Sequence, residues 1–243
     1  MKFLMLAAAL VICSCGPKPS QLPATSEPDE AAALFQTAED LFQAKSYENA
    51  LIAYQAYKSR FPKSSSTDLA LMRLAEIYGL QRNDAARLET YQRLVTEYPD
   101  SRFVADAVLE ILGIYYKEGE FKEVIRKASQ VIEIAGSQTH LGQIYTILGD
   151  TYIALDLPVD AILFYNNALQ VSAHTEEQHI RAKLERTLEQ LGQEDILTLL
   201  TMPNEIPRDR LLYQLALSAY NLENFEEAAK LLIEFIQTYP NHE

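Results

Sequence analysis

Four histidines are the first residues to consider for chemistry, because a neutral imidazole can bind zinc or act as a general base. They are His140, His174, His179 and His242. No two of them have the i, i+4 spacing that places two zinc ligands on one helix face. His174 and His179 are five residues apart, so they fall on different faces of a helix. The sequence therefore predicts no zinc site.

Carboxylate pairs and phosphate-binding motifs give the same result. Glu176-Glu177 and Glu226-Glu227 lie in stretches predicted to be helical, and we interpret them as solvated helix faces. The chain has neither a glycine-rich phosphate loop nor a nucleophile elbow. We therefore expect no enzymatic activity, no metal ion and no bound cofactor.

The charge of the chain excludes further classes of partner. It has 21 Lys and Arg residues against 34 Asp and Glu residues, and its formal net charge is −13. Phosphate backbones repel such a protein, so nucleic acid is not an expected partner. Anionic lipid headgroups repel it as well, so contact with a membrane has to come from a lipid attached to the chain.

The amino-terminal segment has the features of a secretion signal. Lys2 precedes an apolar run over residues 3–12, which is too short to span a bilayer and fits the core of a signal peptide. Two cysteines follow, and small residues before a cysteine resemble the cleavage box of bacterial lipoproteins. Ser14 suits the position before Cys15, whereas the bulky Ile12 makes Cys13 the poorer candidate.

The lipoprotein resemblance implies a signal peptide over residues 1–14 and a lipidated Cys15 at the start of the mature chain. Gly16 stands where an aspartate is linked with retention at the inner membrane. The resemblance therefore implies an outer-membrane lipoprotein that faces the periplasm. Residues 15–30 are rich in proline and are predicted to form a flexible tether. An ordinary secretory signal, or a short uncleaved anchor, is the alternative.

Residues 31–243 carry a repeated helical pattern. Around a break at residues 156–158, residues recur at helical spacing on both sides: Tyr145, Leu148, Gly149, Tyr152, Ala161, Tyr165 and Ala168. The equivalents of Ala161 in other units are Ala50, Arg87, Val124 and Ala228. The first four of these five positions are 37 residues apart, and the last step is 67 residues. A pair of amphipathic helices cannot bury its apolar faces alone, so such units are expected to stack.

This pattern resembles the tetratricopeptide repeat family, which has a small residue at the helix crossing, an aromatic residue four positions later and a closing proline. Ala161 and Tyr165 of the fourth unit fit best, although that unit lacks the proline, while Arg87 and Val124 are not small. The resemblance implies an all-α, tetratricopeptide-like α-solenoid of about five helical hairpins. Residues 175–205 are irregular and could be a degenerate repeat. The alternative is a helical bundle without repeats.

The resemblance also implies that the first helices of the units line a concave groove for protein partners. Its positions in this chain are Phe35, Glu39, Phe42, Met72, Glu76, Leu109, Tyr116, Thr146, Asp150, Ile153, Tyr213 and Tyr220. Glu39, Glu76 and Asp150 hold the same repeat position, so we hypothesise an acidic stripe that binds a basic or aromatic-bearing segment. The alternative is that helices rich in glutamate expose acids on every face.

The lipid anchor, the tether and the repeats together resemble the outer-membrane assembly lipoproteins, which are accessories of the β-barrel insertion machine. This implies a non-catalytic, periplasm-facing scaffold for envelope assembly. Penicillin-binding-protein activator lipoproteins also begin with a lipidated cysteine and helical repeats, but an α/β domain follows. The alternative is therefore an amino-terminal repeat module that regulates peptidoglycan synthesis, with Glu243 as the module boundary.

Overall fold

The computed structural model describes residues 27–132, 138–203 and 206–240. These residues form α-helices and no β-strand, which confirms the predicted all-α solenoid. The predicted signal peptide, Cys15, residues 16–26 of the tether and His242 lie outside the described residues. The helices are α1 (Glu27–Gln43), α2 (Tyr47–Arg60), α3 (Thr67–Leu80), α4 (Asp84–Glu97), α5 (Val104–Glu118), α6 (Phe121–Ile132), α7 (Gln138–Ala154), α8 (Pro158–Val171), α9 (His174–Glu189), α10 (Gln193–Thr201), α11 (Arg208–Asn221) and α12 (Phe225–Thr238).

Helix α1 begins four residues earlier than predicted, so residues 27–30 of the predicted tether are helical. Pro28 does not prevent this, because a proline in the first turn lacks only an N–H that has no partner within the helix. The acidic residues Glu27, Asp29 and Glu30 occupy the same turn and favour the positive end of the helix dipole.

Five of the helix pairs are hairpins whose inner turns share one backbone conformation. A residue with positive φ lies in each turn: Lys45 (58°), Arg82 (56°), Gly119 (77°), Asp156 (60°) and Glu223 (61°). These positions follow the repeat spacing of the sequence. Only one of them is glycine, so packing of the two helices holds four ordinary residues in a conformation that costs about 1 kcal/mol each.

The irregular region at 175–205 contains two helices but no regular hairpin. Helix α9 packs against α8, whereas α10, with 9 residues, packs against α8 and α11. Ile196 and Leu199 of α10 nevertheless share one buried cluster with Leu184 and Leu188 of α9. The described residues therefore form five regular hairpins, as predicted, with α9 and α10 as an irregular segment between the fourth and the fifth.

Arg87 fits the helix crossing because the small residue lies on the opposite helix. A Cβ atom added at Gly79 of α3 would lie 3.2 Å from Arg87 Nε. Gly79 therefore provides the space at this helix crossing that Ala50 or Ala161 provides in other units. The guanidinium passes this glycine and pairs with Glu110 on α5.

Successive units join through the second helix of one and the first helix of the next. Helix α2 packs on α3, α4 on α5, α6 on α7 and α8 on α9. The first helices α5 and α7 also pack directly on each other. Within the described ranges, no helix is both long and apolar enough to cross a bilayer.

Candidate protein-binding groove

Two adjoining clefts run along the first helices of the middle units. The first has a volume of about 850 Å³ and lies among α3, α4 and α5. The second has a volume of about 480 Å³ and lies among α5, α7 and α9. Leu109 and Gln143 line both clefts, so the two form one continuous groove.

The structure brings half of the predicted groove residues together. Phe42, Met72, Glu76 and Leu109 line the first cleft, and Leu109, Thr146 and Asp150 line the second. The other predicted residues lie outside these two clefts: Phe35, Glu39, Tyr116, Ile153, Tyr213 and Tyr220.

Several of the predicted aromatic groove residues pack on an aromatic ring of the second helix in the same hairpin. Tyr220 packs on Phe225 with ring centroids 5.4 Å apart, and Tyr116 packs on Phe121 at 5.8 Å. Phe42 makes the equivalent contact with Tyr47 in the first unit, at 5.7 Å. These rings stabilise the turn end of each hairpin, in addition to any contact with a partner.

Phe35 and Tyr213 form a second repeated pairing. Phe35 packs on Tyr57 at 5.2 Å, and Tyr213 packs on Phe235 at 5.8 Å. Tyr213 also lines a separate cleft of about 590 Å³ near the junction of α9 and α10. Tyr213 holds the repeat position of Phe35, but the groove in the middle of the solenoid does not reach it.

Glu39 is not a free charge on the surface. Its carboxylate accepts a hydrogen bond from the Tyr54 hydroxyl on α2. It also pairs with Arg73 on α3, whose Nε lies 3.2 Å from Glu39 Oε1. Arg73 Nη1 donates to Glu76 Oε2 at 2.9 Å, so one guanidinium contacts two of the three predicted stripe carboxylates and offsets one of their two charges.

Asp150 repeats the same arrangement in the fourth unit. The Tyr165 hydroxyl donates to Asp150 Oδ1 at 2.6 Å. The Lys183 ammonium on α9 lies 2.6 Å from Oδ1 and 2.5 Å from Oδ2. Each acid of the predicted stripe is therefore paired with a cation. Glu39 and Asp150 also accept a hydrogen bond from a tyrosine hydroxyl.

Arg73 follows Glu39 by 34 residues and Lys183 follows Asp150 by 33 residues, whereas Arg73 and Glu76 lie on the same helix. A separation of 33 or 34 residues also joins His140 to Asp106 and Gln143 to Glu176. A repeat of 37 residues minus one helical turn of about 3.6 residues is about 33 residues, which matches this separation. Arg73 and Lys183 were missed by the sequence reasoning. The signal that could have found them is a basic residue at this offset from Glu39 and from Asp150.

Tyr54 and Tyr165 are buried hydroxyl donors. Burial raises the pKa of both phenols well above the ordinary range, and the hydrogen bond to a neighbouring carboxylate raises it further. Both side chains therefore remain protonated at neutral pH and continue to donate to Glu39 and Asp150.

The remaining polar groups of the groove have mixed sign. Arg87 and Glu110 face the first cleft, and Glu176 and His179 face the second. Arg87 Nε and Glu176 Oε2 are buried and have no hydrogen-bond partner among the described residues. No group of three or more metal-ligating side chains occurs in the described part of the chain.

Comparison with known proteins identifies the repeats. The family described as tetratricopeptide repeat-like domain matches residues 3–191, and a tetratricopeptide repeat matches residues 210–242. No curated protein matches the chain significantly.

The solved structures that resemble the fold include the following two. PilF from Pseudomonas aeruginosa is 16% identical, with a TM-score of 0.51, and the alignment covers 89% of this chain and 96% of that one. A tetratricopeptide repeat protein from Parabacteroides merdae is 17% identical, with a TM-score of 0.54, and the alignment covers 86% of this chain and 79% of that one. At these identities the likeness concerns the fold.

Proposed function

Because the chain belongs to the tetratricopeptide repeat-like family, we propose that it is a non-catalytic scaffold that binds protein partners in its concave groove. The observation that carries this proposal is the continuous groove formed by the two clefts around Leu109 and Gln143. It is long, open and lined by groups of both signs. Such a surface fits an extended or helical polypeptide segment rather than a small substrate.

The groove favours a segment with polar groups of both signs. Its stripe acids are already paired with Arg73 and Lys183, so a purely basic peptide gains less here than unpaired carboxylates would offer. Arg87 Nε and Glu176 Oε2 lack partners, and a buried polar group without a partner costs free energy. A segment with groups of both signs can complement the Arg87, Glu110 and Glu176 side chains that line the two clefts.

The proposed place of action is the bacterial cell envelope. The sequence of residues 1–16 supports a lipid on Cys15, and residues 17–26 contain prolines that support a tether. We propose that the lipid holds the solenoid at the outer membrane, facing the periplasm, and that its partners are proteins of envelope assembly.

A photocrosslinking residue at Gly113 tests the binding surface. Gly113 lines the first cleft and is exposed, and a Cβ atom there would meet nothing within 4 Å, so it is a suitable position for benzoylphenylalanine. We expect irradiation of host cells to link this position to an outer-membrane assembly protein, identified by mass spectrometry.

The matched control carries the same photocrosslinking residue at Ile52, which is 64% exposed on α2 and lies outside both clefts. Equal labelling from both positions, or none from position 113, contradicts binding in the groove. Labelling of a peptidoglycan-synthesis protein from position 113 would replace the assembly role with the activator-type role.

A further inference from the structure

Helix α12 carries an exposed apolar face that is separate from the groove. Phe225 is 58% exposed, Ile233 56% and Ile236 63%, and the half-buried Leu232 lies between them on the same side of the helix. We call these four residues the α12 end face. Apolar side chains of this size at helical spacing are usually covered by another element.

In the other units, the next first helix covers this face. The repeat equivalents of Leu232 are Tyr54, Tyr91 and Tyr165, which are 0%, 2% and 2% exposed. The equivalents of Ile236 in α4 and α8 are Val95 and Leu169, and both are half-buried against the core. The α12 end face therefore has the chemistry of a surface on which a helix packs.

The α12 end face is more apolar than the corresponding internal faces. Gln55 and Gln92 hold the repeat position of Ile233, and they donate hydrogen bonds to the Tyr78 and Tyr115 hydroxyls of the following first helix, at 3.0 and 2.9 Å. Ile233 cannot make this contact. A helix that packs on α12 needs an apolar residue at that point instead of a tyrosine hydroxyl.

Helix α3 shows what such a helix looks like. It packs on α2 with Leu71 and Leu74, which are 0% and 2% exposed. Its Arg73 guanidinium lies over the Phe42 ring at 4.7 Å from the centroid. Tyr220 holds the repeat position of Phe42 and is 58% exposed, so its ring can accept a cation from outside.

The charge around the α12 end face selects between possible occupants. Glu223 and Glu226 are exposed beside it, whereas Glu234 lies on the opposite side of α12 and the single lysine of the helix, Lys230, pairs with Glu227. A second copy of this chain, with its net charge of −13, would bring like charge to an acidic rim. A basic helix has the complementary charge.

We propose that the α12 end face binds a basic amphipathic helix of a partner protein, with aliphatic residues on Leu232 and Ile236 and a lysine or arginine over Tyr220. This site is separate from the groove and does not depend on the groove having a partner.

A fluorescent, helix-stapled peptide with the sequence of residues 66–81 and the changes Asp68→Lys, Glu76→Lys and Tyr78→Leu is the probe. It keeps the apolar pattern and Arg73 of α3, makes the peptide basic, and places an apolar residue opposite Ile233. We expect it to bind the full chain in an anisotropy titration. Ile236→Glu should weaken binding by at least about tenfold, since a buried charge at the centre of an interface costs more than 1 kcal/mol. The peptide variant Arg73→Glu should also bind more weakly.

The matched control is Ile52→Glu, because Ile52 is 64% exposed and lies on the polar side of α2. It should change the affinity by less than about twofold. Both substitutions are at exposed positions, and unchanged helical circular dichroism would confirm folding. Equal binding by the Ile236→Glu variant, or no binding up to about 1 mM peptide, overturns the proposal. So does a dimer in light scattering that Ile236→Glu dissociates, because the occupant is then a second copy.

Discussion

Gly149→Ala is expected to lower the free energy of unfolding by about 2 to 3 kcal/mol. A Cβ atom at this position would lie 2.4 Å from Tyr165 Cε1, 2.5 Å from Cδ1 and 2.9 Å from Cζ. The ring cannot move aside easily, because it is 2% exposed and its hydroxyl is held by Asp150. Helices α7 and α8 would have to separate, and urea denaturation of the purified protein measures the loss.

Gly113→Ala is the control for this substitution. Gly113 lies within α5, and its added Cβ atom would meet nothing within 4 Å. Here alanine should stabilise the protein by about 0.5 to 1 kcal/mol, because it favours helix over glycine. If both substitutions changed the free energy of unfolding in the same direction, the close contact between Gly149 and Tyr165 would not explain the effect of Gly149→Ala.

Asp150→Ala is expected to cost about 2 kcal/mol. The substitution leaves the buried Tyr165 hydroxyl without its acceptor and the Lys183 ammonium without its counter-ion. The two charged side chains are 26% and 23% exposed, so solvent screens the pair only partly. Thermal and urea denaturation of the variant measure the cost.

Asp106→Ala removes the same charge at an exposed site. Asp106 is 56% exposed and contacts His140 at 3.1 Å, so its loss should stay within about 0.5 kcal/mol. A second comparison uses Lys183→Met, in which the cation is already absent. Asp150→Ala should cost less in that background, and an equal cost in both backgrounds would show that the pair does not act as a unit.

The repeat architecture could be predicted because its signals are local. Spacing at Gly149, Ala161 and Tyr165 reflects one helix crossing, and the 37-residue step reappears as the left-handed turn residues. Each of these positions is decided by neighbours within one hairpin. The pair α9–α10 was harder to predict, because α10 has only 9 residues and is stabilised by packing on α8 and α11 rather than along α9.

Which charged side chains of the groove are paired could not be predicted in the same way. Glu39 and Asp150 were found by their repeat position. Whether each acid is paired depends on Arg73 and Lys183, which lie in the next unit. Such contacts join side chains that are far apart in sequence, and periodicity within one helix carries no information about them. Arg87 is similar, because its place at the crossing depends on Gly79 of the opposite helix.

The pairing of the stripe acids changes how the groove should be tested. Reversing the charge of Glu39, Glu76 and Asp150 together would break contacts to Arg73 and Lys183 as well as any contact to a partner. A loss of affinity in that variant could then come from altered packing between units. Gly113 is the better position for a probe, because a Cβ atom added there would meet no neighbour within 4 Å.

The mass of the intact protein, extracted from the membranes of its natural host, most directly tests whether the solenoid is an anchored envelope scaffold. We predict a chain that begins at Cys15 and carries a diacylglyceryl group and an amide-linked acyl chain, because several acyl chains give stable membrane attachment. An unmodified chain, or one that retains residues 1–14, would contradict the anchor. A much longer lipidated chain would instead favour the activator-type protein.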